Sequence, residues 1–456
     1  MVTIFRIRRP NLMSRSLDWV WLILCAVLSS VACVTSACDL GVTFDEPIYM
    51  EKGLERWRSG TLAPLIKLGT MPLPVDVQTM PVYLWERLRG VAFDPRSDLS
   101  TILPVARAAN LLFWWVALVY AMLAARSIRG PWAGRLAVLL LACEPNFLGH
   151  ATLATTDVAV SACLLAFAYH LWTGRDSSWP NRVGIPALWF GLAALSKASG
   201  PVFGVLILLA VEGRRRLLGE KSSAFVRDSL QVIALGVLLL FLYCRSDWQP
   251  QPDALRWAEK LPEGTTKTVA IGMIKSVRLF PCAADGFFRQ VGHNSRGHGA
   301  YLLGVTHEHA LWWYFPVLLT IKLTVPLLVL TALLLVLARP HLANPATMCA
   351  LALLLFSVLC RVQIGVRFML PLIALLIVGV SGAVASVITE SRYRYRWGLI
   401  AAGCATWAVA GIVFVWPNGL SYINELYGGM AGGYRVASES NSNCLVSANL
   451  ADLPVL

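Results

Sequence analysis

Apolar runs of spanning or slightly shorter length recur along this chain, separated by short polar connectors. They fall near 17–37, 103–125, 132–148, 158–172, 184–196, 201–212, 228–244, 311–337, 346–361, 368–388 and 397–416. A transmembrane helix needs about 20 consecutive apolar residues. The pattern therefore predicts an all-α polytopic membrane protein with about eleven transmembrane helices. The runs between 184 and 212 are the least regular, and the shorter ones suit a membrane only if protein or loop structure covers them. Two long polar segments interrupt the series, 38–102 and 245–310. The first run follows Arg6, Arg8, Arg9 and Arg15 and ends in Ser-Ala-Cys38, a form shared with cleaved leader peptides. It is nonetheless about as long as a full span, and reads as an uncleaved first helix.

Lys and Arg in the short connectors set the orientation. Arg126, Arg129 and Arg135, Arg175 and Arg182, Arg214 to Arg216 with Lys221 and Arg227, Arg339, and Arg392, Arg394 and Arg396 alternate onto one side with the basic N-terminus. By the positive-inside rule that side is cytoplasmic. Both long segments and the C-terminus are then external. This arrangement collects the unusual polar residues at one membrane face: Asp45 and Glu46, His150 and Asp157, Lys197, the segment His293 to His309, Arg361 and Arg367, and Asn424 and Glu425. Such convergence predicts a polar cavity at the outer leaflet.

Composition narrows the class. The 456 residues have a mean hydropathy of +0.62 and only 14% are charged, against about a quarter in soluble domains. The net charge of +13 lies between apolar runs rather than on one face, so it serves topology and not nucleic acid. Most of the cysteines lie inside apolar runs without CxxC spacing and read as small apolar packers.

The stretch Thr43-Phe44-Asp45-Glu46-Pro47-Ile48-Tyr49 places two carboxylates directly after the first apolar run, where ionisable groups are expensive and default to a functional reading. The plain alternative is a water-interface marker. Asp157 closes the charge-poor turn 144–157 and is equally suited to capping the next helix. Arg107, Lys197 and Arg367 sit near helix ends, where Arg in particular suits phosphate; snorkelling to headgroups is the alternative for each one alone. The loop from Gly292 to Gly304, with His298 and Tyr301, is polar and glycine-rich. His307-Glu308-His309 gives two imidazoles, an incomplete zinc set, so a divalent metal is possible but unsupported. Trp312-Trp313-Tyr314 reads as an interfacial belt. Lys322, about three turns inside the run 311–337, needs a partner or a water-lined cavity. No glycine fingerprint for a nucleotide follows a strand.

Taken in order, these motifs resemble a known family. They are Asp45-Glu46-x-x-Tyr49, Pro145…His150…Asp157, Ser-Lys197, Gly-His298-x-x-Tyr301-Leu-x-Gly304, Tyr314-Phe-Pro316…Lys322, Gly365-x-Arg367-x-x-Leu-Pro371, and Tyr422-x-Asn424-Glu425-x-x-Gly-Gly429. The chain is similar to the protein O-mannosyltransferase and aminoarabinose transferase superfamily, glycosyltransferase family 39, of the GT-C fold. The resemblance implies one GT-C domain over residues 1–430 and an external tail, 431–456, shortened relative to the family. It implies inverting transfer of a sugar from a polyprenyl-phosphate donor to a hydroxyl-bearing acceptor on protein, lipid or wall polymer. The setting would be the external face of a bacterial plasma membrane, with membrane lipids as partners, no nucleic acid and no obligatory cofactor.

Asp45 would be the general base and Glu46 its support. Arg107, with Lys197 and Arg367, would bind the donor phosphate. His150, Asp157, His298, Tyr301, Asn424 and Glu425 would contact substrate. Two departures stand out: Ala63-Pro64…Pro72-Leu73-Pro74 replaces a His-Pro-Pro-like segment, and Ser440-Asn441-Ser442-Asn443-Cys444 replaces an acidic-aromatic one. They leave a catalytically impaired member as one alternative; a transporter or flippase of lipid-linked substrates is another, although such folds often show internal repeats and the sequence has none.

Overall fold

The computed structural model describes residues 12–437 except 221–223, 247, 249, 251, 277–282, 298, 434 and 435. Helix α1 (Leu12–Asp39) leads into a first polar segment with α2 (Asp45–Ser59), α3 (Ala63–Ile66) and α4 (Pro72–Arg89). The bundle continues through α5 (Leu99–Arg129), α6 (Pro131–Ala142), α7 (Pro145–Ala151), α8 (Asp157–Gly174), α9 (Ile185–Ser196), α10 (Gly200–Leu217) and α11 (Phe225–Cys244). A second polar segment holds α12 (Pro252–Glu259), α13 (Thr265–Ser276), α14 (Ala283–Arg296) and an antiparallel pair, β1 (Ala300–Leu302) with β2 (Val305–His307). The remainder is α15 (Tyr314–Lys322), α16 (Val325–Leu337), α17 (Pro345–Ser357), α18 (Leu370–Glu390), α19 (Arg394–Val415) and the short α20 (Gly429–Gly433).

The chain is an all-α integral membrane protein, and length and apolarity do not by themselves bear out eleven spans. Among the described residues five helices are long and apolar enough to cross a bilayer: Ser16–Asp39, Leu99–Arg129, Phe225–Cys244, Val366–Glu390 and Arg394–Val415. A sixth exists if the bent pair α15 and α16 counts as one. Helices α6, α9 and α17 have 12, 12 and 13 residues, or about 18–20 Å at 1.5 Å per residue, short of a hydrocarbon core about 30 Å thick. The apolarity of α8 reflects enclosure by protein. In α8 every residue from Asp157 to Ala168 is buried, whereas α1 leaves Leu17, Val20, Ile23, Leu24, Val27 and Leu28 uncovered. Hydropathy alone does not separate a lipid-facing helix from one enclosed by its neighbours.

Two further expectations shift. The run 311–337 breaks after Lys322, where Leu323 and Thr324 are extended and the axis turns by 115°. Pro326 opens α16, where its missing N–H leaves no helical bond unmade. Lys322 therefore lies at a helix end, buried, and donates to the Leu420 carbonyl at 3.3 Å. Residues 292–296, read above as loop, form the last turn of α14; the helix stops at Gly297, whose φ of +74° is left-handed.

Helices α1 and α5 are tied at both ends. Near one end Asp18 is buried and pairs with Arg126 of α5 and, at 2.7 Å, with Arg135 of α6. Near the other, Glu46 is fully buried and meets Arg107 side-on, with Nε–Oε1 at 2.8 Å and Nη2–Oε2 at 2.7 Å. Arg107 and Arg126 are 19 residues apart on α5, about 28 Å at 1.5 Å per residue. The two ionic ties thus lie about one hydrocarbon-core thickness apart. Arg107 also donates from Nη1 to the carbonyls of Ala37 and Leu40, at 2.9 and 3.0 Å, and from Nη2 to that of Gly41 at 2.8 Å. All five guanidinium N–H groups are thereby committed to protein. Helix α7 packs on the turn Gly419–Ser421, and a Cβ on Gly149 would lie 2.7 Å from the Leu420 nitrogen.

Replacing Arg107 by Ala strands a buried carboxylate and is expected to cost about 3–5 kcal/mol of stability, read as a lowered unfolding midpoint in detergent. Arg107→Lys should recover only part, since a lysine lacks the planar fork. Gly149→Ala is expected to lose about 1–3 kcal/mol through overpacking against backbone, by the same measurement.

Candidate functional site

A cavity of about 930 Å³ opens where the first polar segment meets the bundle. Among the described residues four charged side chains line it: Asp45, Asp157, Lys197 and Arg367. Each is set by a change in backbone direction. Asp45 and Asp157 stand in the first turns of α2 and α8, where carboxylates complement the positive helix end. Lys197 follows α9 in extended conformation, before α10 begins at Gly200. Arg367 lies in the 3₁₀ turn Val366–Met369, behind Gly365 at φ +95°, a conformation that favours glycine.

The cations and carboxylates pair across the cavity. Arg367 donates from Nη1 to Asp45 Oδ2 at 2.8 Å. Lys197 pairs with Asp157 and stands 5.7 Å from the centre of the Phe368 ring, within cation–π range. Tyr49, one turn beyond Asp45, also lines the cavity; desolvation pushes its phenol above the usual range and the Asp45 charge adds to this. It remains a neutral hydrogen-bond donor at physiological pH. A polar wall comes from α14, which presents Gln290, His293 and Asn294. Gln290 donates to the Gly69 carbonyl at 3.2 Å, and the Asn294 side chain accepts from the Arg361 amide at 2.9 Å. Apolar lining comes from Val202, Phe203, Phe356, Val362, Ile364 and Phe368, and hydroxyls from Thr70, Thr156, Ser196 and Ser199. A site of this kind suits an amphiphile with an anionic head.

Of the residues singled out in the sequence, Asp45, Asp157, Lys197 and Arg367 converge on this cavity. Glu46 and Arg107 do not line it; they form the buried tie beneath it. His150 is buried at the end of α7, within electrostatic reach of Asp157. Asn424 is fully buried and clamps the α15 break, donating to the carbonyls of Thr320 at 2.6 Å and Leu323 at 2.9 Å. Glu425 is exposed, and Tyr301 lies in β1 outside the cavity lining. His298 lies outside the described residues, as does the segment 440–444. Among the described residues no three His, Cys, Asp or Glu side chains gather as a metal site.

Sequence reasoning placed His293 and Asn294 at this face but missed the rest of the α14 wall, Phe287, Gln290 and Val291, and the aromatic lining. A signal existed for the first: Phe287, Gln290, Val291 and Asn294 recur at helical spacing, so one face of the helix carries both ring and amides. The aromatic lining had none, since Phe203, Phe356 and Phe368 come from runs that read only as apolar.

Residues 102–243 match the model of a family described as dolichyl-phosphate-mannose-protein mannosyltransferase. No curated protein sequence matches the chain. Among solved structures, it is similar to ArnT from Cupriavidus metallidurans bound to undecaprenyl phosphate, at 20% identity and a TM-score of 0.55, covering 86% of this chain and 64% of that one. The apo state of that ArnT gives 19% identity and a TM-score of 0.52 with the same coverage. The oligosaccharyltransferase AglB from Archaeoglobus fulgidus, in complex with an inhibitory peptide and a dolichol-phosphate, gives 13% identity and a TM-score of 0.53 over 95% of this chain and 61% of that one. The chain thus spans less than two thirds of the length of these proteins. It has the GT-C glycosyltransferase fold, and its residues 102–243 carry the sequence pattern of the protein mannosyltransferase family.

Proposed function

We propose that the protein is an inverting membrane glycosyltransferase that moves a sugar from a polyprenyl-phosphate carrier to a hydroxyl acceptor. The single observation that carries this reading is the cavity itself. One carboxylate, Asp45, shares it with two cations, Arg367 and Lys197, and with an apolar wall. Each part has a task in such a transfer. Asp45 takes the acceptor proton, for which a carboxylate must lie within hydrogen-bond reach of the hydroxyl. Arg367 and Lys197 receive the charge that develops on the departing phosphate, often the largest electrostatic contribution in such reactions. The apolar wall holds the start of the prenyl chain. The undecaprenyl phosphate bound to ArnT and the dolichol-phosphate bound to AglB support a carrier of this class.

Arg107, for which the resemblance implies a phosphate contact, is better supported as a positioning residue, because all of its donors are committed to the tie below the cavity. The Lys and Arg distribution supports a cytoplasmic N-terminus and a cavity facing the external side of a bacterial plasma membrane. The amides of Gln290 and Asn294 and the ring of Phe287 are suited to sugar hydroxyls and a sugar face.

Asp45→Asn is expected to remain folded and to lower transfer by about 10²–10⁴-fold, the usual contribution of a general base. The assay incubates purified protein with a panel of polyprenyl-phosphate sugars and follows released carrier phosphate. Full activity in the Asn variant removes the mechanism, and release from no member of the panel removes the reading.

A further inference from the structure

Neither cation in the cavity stands ready for an anion. Arg367 is hydrogen-bonded to Asp45, and Lys197 is paired with Asp157. The described lining thus holds two cations and two carboxylates, with His293 beside them. An arriving phosphate must compete with a carboxylate for its donors. The two pairs differ in how firmly they are held. Asp157 is 2% exposed, whereas the Asp45 side chain keeps 20% of its surface open. Arg367 also has a buried Nε with no hydrogen-bond partner. Its guanidinium therefore carries unused donor capacity beside the more accessible carboxylate.

We propose that Arg367 is shared between Asp45 and the carrier phosphate. In the empty cavity it masks the base, and the arriving phosphate draws it away and exposes Asp45. This inference rests on the carrier-phosphate reading above. The charge balance of the transfer fits it. The acceptor hydroxyl gives its proton to the Asp45 carboxylate, and the oxygen's electron pair forms the new bond to the anomeric carbon. The bond from that carbon to the phosphate oxygen breaks, and its pair stays on the phosphate. A phosphodiester monoanion becomes a phosphomonoester dianion while a carboxylate becomes a neutral acid. One negative charge thus passes from Asp45 to the phosphate. A guanidinium in reach of both anions stabilises each end of that change, and its planar fork can serve two oxyanions at once. An acceptor that arrives first meets a carboxylate already occupied by Arg367.

The test is equilibrium binding of undecaprenyl phosphate to purified protein in detergent, for wild type, Asp45→Asn, Arg367→Gln and the double variant. Asp45→Asn is expected to bind tighter by roughly tenfold, the scale of one charged hydrogen bond, because the neutral amide releases Arg367. Arg367→Gln should bind more weakly, and in that background Asp45→Asn should add nothing. Equal affinity of wild type and Asp45→Asn overturns the sharing, as does a gain that persists without Arg367. If Arg367→Gln does not fold, the same cycle with Arg367→Lys decides, since the gain should shrink when the fork is lost and an undiminished gain overturns the proposal. Wild-type protein that binds no undecaprenyl phosphate removes the carrier reading itself, so the two failures separate.

Discussion

The site depends on the buried carboxylate of Glu46. It accepts four hydrogen bonds: two from Arg107, at 2.7 and 2.8 Å, one from the Thr43 amide at 2.9 Å and one from the Ala154 amide at 3.0 Å, and Arg107 in turn reaches the backbone carbonyls where α1 ends. A charge this deep is tolerated only when its partners are complete. Completing them brings four chain segments to one point: the end of α1, the start of α2, the third turn of α5, and the turn before α8. Asp45 is the residue before Glu46, and Asp157 lies three residues beyond Ala154. Both cavity carboxylates are thereby placed by the same tie, on separate segments that have no covalent reason to meet.

The polarity of the cavity follows from that placement. Two carboxylates fixed at helix starts would repel one another in a low-dielectric setting, and each has drawn a cation from a different part of the bundle. Lys197 comes from the α9–α10 junction and Arg367 from the turn before α18. Such a cavity is nearly neutral by itself and becomes selective for an anion only by releasing one of its own. Neutrality also limits the cost of holding four charges beside apolar walls such as Phe203 and Phe368.

Much of this was legible in the sequence, and the remainder failed for identifiable reasons. The order of apolar runs and the motif series gave the membrane class and the GT-C fold. Asp45, Asp157, Lys197 and Arg367 were legible because charges at the ends of apolar runs are rare enough to need an explanation. The number of spans was not, because an apolar run such as α8, enclosed by protein, has the same hydropathy as one that faces lipid. Asn424 looked functional for the reason that makes it structural. An amide at a helix break is what satisfies the carbonyls of Thr320 and Leu323. A sequence records that such a residue is polar and placed near an interface, and not which neighbour it satisfies.

Arg107 and Arg367 make the same point more sharply. Both are arginines near an end of a long apolar helix, both pair with a carboxylate of the Asp45-Glu46 dipeptide, and each looks equally suited to a phosphate. What separates them is how many donors remain. Arg107 has a second set of acceptors in three backbone carbonyls, supplied because α1 ends beside it and leaves the carbonyl of Ala37, and those of Leu40 and Gly41 in the connector, to be satisfied. Arg367 follows a glycine turn and has no such helix end to satisfy; Asp45 is its one hydrogen-bond partner among the described residues. A guanidinium that completes a helix terminus is fixed by the backbone and cannot leave without exposing it. One whose hydrogen bond goes to a single, partly open carboxylate can move to a better anion, and that difference in replaceable partners divides scaffold from site.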